Sequence, residues 1–196
     1  MFTDGHVEVD GVRVAYSEAG QGIPLVHVQA ASGLSRAHDI LARQFRVIVL
    51  EMPGRGPALG RVVESLGLAD FDLMATGDAS ATAISLALAE PERVRAMVLE
   101  SPTAISRDGA DAQLEWRLPE VVTPTLVLFG TADSGAAQDT GRVYTGLIPN
   151  SHLAFVYDAS AAIGRDRPEA FAEVVADFLE RHEAFIISRT PTVIHP

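Results

Sequence analysis

The stretch FDLMATGDASATAISLALAEPERVRAMVLE, residues 71–100, decides the fold. Phe71 to Ala75 is an apolar run of strand length, and Ala96 to Glu100 is another. Between them, Ala79 to Ala89 is apolar and rich in small residues, as expected of a helix packed closely behind central strands. Strand, helix and strand in that order imply a parallel pair, because a helical crossover returns the chain to the same end of a sheet.

The same alternation continues outward. Val7 to Val9 and Val12 to Tyr16 flank Asp10-Gly11, a two-residue signal for an antiparallel hairpin. Leu25 to Gln29, Phe45 to Leu50, Thr125 to Phe129 and Leu153 to Tyr157 complete eight candidate strands. Their near-continuous Val, Ile and Leu content fits strands buried on both faces. From Glu169 to His182, Phe171, Val174, Val175, Phe178 and Leu179 recur at helical spacing behind Pro168. Leu59, Val62, Val63 and Leu66 form a second stripe that stops at Gly67. The expected fold class is therefore α/β: a mostly parallel eight-stranded sheet with helices on both faces, in one domain over residues 1–196.

Composition narrows the function classes. The chain has 196 residues, 47% hydrophobic and 21% charged, which is ordinary for a globular domain. It contains no cysteine, which excludes disulfides, thiolate metal sites and Cys nucleophiles. The net charge of −11, with all 15 basic residues dispersed arginines, argues against nucleic-acid binding. No secretory signal or membrane-spanning run is visible, so a cytoplasmic protein is expected. No metal-ligand spacing is present, and no cofactor is expected.

Several longer strings resemble the α/β-hydrolase superfamily. Residues 87–99, ALAEPERVRAMVL, are similar to the helix, turn and strand that follow that family's nucleophile elbow. Residues 123–133, TPTLVLFGTAD, resemble its seventh strand and acid loop, and Arg167 to Phe171 the opening of its last helix. Ile23 to Val28, Phe45 to Leu50 and Met52 to Gly56 are similar to the N-terminal half. The resemblance implies a hydrolase scaffold of minimal, capless form, since the segment between Pro102 and Pro124 is too brief for the helical cap many relatives insert.

Carried over position by position, the resemblance implies that the chemistry is missing. The family's elbow reads Gly-x-Ser-x-Gly; here the spacing to Pro91 aligns its serine with Gly77, within Ala75-Thr76-Gly77-Asp78-Ala79. The general-base histidine aligns with Ala161, counted back from Pro168. Of the triad only the acid position is retained, at Asp133. Where the family has His-Gly beside its oxyanion hole, this chain has Gln29-Ala30, followed by Ala31. Asp78 is an alternative nucleophile in the manner of haloalkane dehalogenases, and Ser80 an alternative hydroxyl about one turn into its helix.

The remaining histidines are read as structural: His27 inside a core strand, His152 ahead of the eighth strand, His38 and His182 on helices. The former active-site edge, with Gln29, Ala30, Ala31, Asp78 and Trp116, is the candidate ligand surface. Trp116 is expected to cover apolar surface or to line the remnant pocket. The apolar tail, residues 185–196, is expected to dock on its own domain or to join a second copy as a homodimer. Two functional expectations stand side by side. One is an inactive pseudoenzyme that binds a small apolar ligand or a protein partner; the other is a hydrolase of ester or carbon–halogen bonds built on Asp78 or Asp133.

Overall fold

The computed structural model describes residues 1–30, 33–52, 58–104, 112–133, 135–185 and 192–194. The first hairpin joins β1 (Thr3–Val9) to β2 (Val12–Ala19), with Asp10 and Gly11 both at positive φ, the backbone a two-residue hairpin turn requires. β3 (Pro24–Gln29), α1 (Arg36–Leu41), β4 (Arg46–Glu51), α2 (Leu59–Ser65) and β5 (Phe71–Thr76) follow. The second half comprises α3 (Ala79–Ala89), β6 (Val94–Glu100), α4 (Ala112–Arg117), β7 (Thr125–Gly130), α5 (Gly135–Leu147), β8 (Ser151–Val156), α6 (Ile163–Asp166) and α7 (Pro168–Arg181).

The sheet order is β1-β2-β4-β3-β5-β6-β7-β8, antiparallel at β1–β2 and β2–β4 and parallel from β4 to β8. All eight expected strands are present. A ninth, β9 (Thr192–Ile194), comes from the C-terminal tail and adds parallel to β8 of its own chain. The unbroken apolar runs are explained by burial on both faces. Val26, Val28, Leu73, Leu99 and Val127 face one core with α2, α3 and Tyr144 of α5, whereas Leu25, Met74, Val98 and Leu126 face the other with α1 and α7.

Burial decides where the helices run. In α7 the stripe Phe171, Val174, Val175, Phe178 and Leu179 is buried, each side chain contributing roughly 1.5–3 kcal/mol. The helix stops at Arg181 rather than His182, because His182 sits at φ +49 and its backbone cannot continue the helical ladder. In α2, Leu59, Val62 and Val63 are buried and Gly67 turns the chain at φ +71. His152 lies within β8 rather than ahead of it, edge-on to Phe178 and Phe185. No described helix is long and apolar enough to cross a membrane.

Candidate functional site

Strand period places the site. Along β3, Val26 and Val28 face the α3 side, so His27 and Gln29 face the α1 side. By the same alternation Thr76 ends β5 and Glu100 ends β6 on that second face, paired with each other in the strand register. Three strands adjacent in the sheet thus deliver His27, Thr76 and Glu100 to one spot at its carboxyl edge. Helix α1 lowers His38 onto them from above, and α6 contributes the backbone of Gly164.

These groups form one continuous hydrogen-bonded chain. His38 Nε2 lies 2.8 Å from His27 Nδ1, His27 Nε2 lies 2.8 Å from Thr76 Oγ1, and the Thr76 hydroxyl donates to Glu100 Oε2 at 2.8 Å. The Gly164 N–H donates to Glu100 Oε1 at 2.8 Å. The direction of the chain is fixed at its outer end, where the Ser35 backbone N–H donates to His38 Nδ1 at 2.9 Å. An accepting Nδ1 puts the His38 proton on Nε2, which donates to His27; His27 therefore donates from Nε2 to Thr76, and Thr76 to Glu100. Both rings are neutral in this arrangement. Burial, then the neighbouring His38, holds His27 well below the usual imidazole range, and burial brings His38 down to about 4. Burial also pushes the Glu100 carboxyl above its usual range, against the pull of its hydrogen bonds from Gly164 and Thr76.

A pocket of about 200 Å³ opens over this chain. Its floor is His27, Thr76 and Glu100; its walls include Gln29, Gly33, Ser35, Ala161, Ala162 and Gly164, with Arg165 beside them. Gln29 is buried and donates its side-chain amide to the Gly33 carbonyl. Ala161, where the resemblance leads one to expect a histidine, lines the same pocket as Glu100.

The elbow keeps its backbone. Gly77 has φ +58, its N–H is bonded to the Glu100 carbonyl, and a Cβ built there would meet nothing within 4 Å. Asp78 follows as the cap of α3, with its side chain exposed. Ser80 is the second residue of α3, earlier than expected, and its buried hydroxyl has no hydrogen-bond partner among the described residues. Asp133 sits in the turn after β7, its N–H bonded to the Gly130 carbonyl, outside the set of residues that line the pocket. Trp116 lies on α4 with 83% of its surface exposed, so it neither covers the core nor lines the pocket. Ala30 is exposed after β3, and Ala31 lies outside the described residues. Among the described residues no group of three or more His, Asp or Glu is placed to hold a metal ion.

Similarity to solved structures covers almost the whole chain. A predicted CIB-like hydrolase from Thermoplasma acidophilum superposes with a TM-score of 0.77 over 91% of this chain and 98% of its own, at 17% identity. A thioesterase domain from the curacin biosynthetic pathway superposes at 0.72 over 90% and 99%, at 11% identity. The chain has the α/β-hydrolase fold. In sequence, 149 residues, 74% of the chain, are 31% identical to polyketide synthase ThaQ of Burkholderia thailandensis, and the match spans 7% of that protein's length. No family model matches. Against the α/β-hydrolase fold, the chain of His38, His27, Thr76 and Glu100 is what the sequence reading missed. The available signal was polar residues at alternate positions ending three apolar strands, namely His27 and Gln29, Thr76, and Glu100.

Proposed function

We propose that this chain is a hydrolase-fold protein disarmed for acyl transfer, which uses the former active-site edge to bind a small ligand. The observation that carries the reading is Gly77: a left-handed elbow residue at the head of α3, in open space, with no side chain to attack a substrate. Nucleophilic catalysis needs a hydroxyl, thiol or carboxylate within hydrogen-bond reach of a base. Ala161 supplies no base, and the two buried imidazoles are engaged at both nitrogens in the chain that ends on Glu100. The pocket over Glu100 supports binding as the remaining use of the edge, with walls of small residues and a polar floor. Likeness to a thioesterase domain and to a segment of a polyketide synthase supports an ancestry in acyl chemistry.

The test is steady-state and burst-phase hydrolysis of short-chain aryl esters and haloalkanes by the purified chain, alongside Asp78→Asn. The expected result is no turnover above buffer for either. Turnover that disappears in Asp78→Asn would instead assign a carboxylate nucleophile to the first turn of α3.

A further inference from the structure

We propose that the pocket between Ala161 and Glu100 binds a small organic cation, a primary ammonium or azolium group on one ring or short chain, with the Glu100 carboxylate as its counter-ion. This rests on reading the edge as a binding site, and it adds the chemical class of the ligand.

The hydrogen-bond chain makes the case. Because Ser35 fixes its direction, every link donates toward Glu100, and both histidines on the path are neutral. Nothing along it brings positive charge. Glu100 is only 5% exposed, and among the described residues no ion pair to it is present. Arg165 lines the same pocket, but it is exposed and acts on the carboxylate only through longer-range attraction, with no ion pair between them among the described residues. A buried carboxylate satisfied by hydrogen bonds but lacking a cation keeps much of its desolvation cost. A ligand cation entering the pocket removes that deficit.

Capacity and shape agree. An ionised carboxylate accepts along about four lone-pair directions. Thr76 and the backbone of Gly164 occupy the inner ones, one on each oxygen, and Glu100 lines the pocket. One further donor can reach it from the pocket side. An apolar cavity of ~150 Å³ accommodates benzene, so about 200 Å³ admits one ring with a short substituent. Gly33, Ala161, Ala162 and Gly164 leave flat apolar walls for that ring. The chain's net charge of −11 favours the approach of cations over anions.

The experiment is calorimetric titration of the full chain at pH 7 with cyclopentylamine, cyclopentanol and cyclopentanecarboxylate, three probes of matched shape. The ammonium should bind at least about tenfold more tightly than the alcohol or the carboxylate. Glu100→Gln should remove that preference while leaving weak alcohol binding in place. Ala161→Phe, a change on an exposed loop that fills the pocket without touching the core, should abolish all three. Equal affinity for the three probes, tighter binding of the carboxylate, no binding of any probe, or ammonium binding that survives Glu100→Gln would each overturn the proposal. Aryl-ester turnover is measured on the same samples. Its presence would defeat the disarmed-hydrolase reading while the probe titration decides the cation site separately.

Discussion

Asp72 gives the sharpest test of the burial argument, because among the described residues it is a carboxylate buried with no hydrogen bond and one distant ion-pair partner. It lies at the start of β5 on the same face as Met74 and Thr76, with 0% of its surface exposed and neither oxygen hydrogen-bonded. The Arg95 guanidinium stands 3.7 Å away and partly exposed, too distant to donate well. Burial pushes its pKa from 3.8 to about 7, with Asp70 adding to the rise and Arg95 opposing it. A carboxyl whose folded pKa is raised binds its proton more tightly when folded. Its contribution to stability is thus full below about pH 4, falls as pH climbs toward 7, and stays low above that. At ~1.4 kcal/mol per pKa unit, the difference accumulates to about 4 kcal/mol at most. Asp72→Asn mimics the protonated form. Urea unfolding of both proteins, followed by far-UV circular dichroism from pH 4.5 to 8.5, should show similar stability at the acid end. By pH 8 the variant should be more stable by about 2–4 kcal/mol. Taking the difference between the two proteins cancels every other titrating group. A difference that does not change with pH, or a variant less stable at pH 8, would refute the reasoning.

Two further outcomes are expected. Gly77→Ala should cost about 1–2 kcal/mol in urea unfolding, because alanine pays at φ +58 but finds no clash; a loss well above that would mean the turn is not open. Thr76→Val should cost roughly 2–4 kcal/mol, since it strands the His27 N–H and one Glu100 oxygen in the interior; a neutral result would mean water takes the place of the hydroxyl.

The strands were legible because burial on both faces writes itself as unbroken Val, Ile and Leu, as in Leu25–Val28 and Leu126–Phe129. Ala79–Ala89 was legible from its small residues, which let α3 lie close behind β5 and β6. Helix α5 was not, because Thr140, Gly141 and Gly146 dilute its apolar stripe, so that among its described residues Tyr144 and the half-buried Leu147 are the large apolar side chains against the core. That Gly77 stands at the turn from β5 into α3, and Ala161 between β8 and the last helix, was readable from spacing to Pro91 and Pro168. The polar chain beneath them was not, since His27, Thr76 and Glu100 meet only through the order β3-β5-β6. His27 taken alone looks like a core residue, and its partner His38 arrives on a six-residue helix that carries no periodic signature.

If the turn at Gly77 keeps the geometry of an elbow and the chain wants for a nucleophile and a base, supplying both side chains restores turnover. Aryl-ester hydrolysis by the double variant Gly77→Ser with Ala161→His, set beside the wild type and each single variant, tests it most directly. Turnover is expected in the double variant alone, above the others by about 10²-fold or more, the lower range of general-base assistance. Equal turnover in the wild type, or none in a double variant that folds normally, would contradict it.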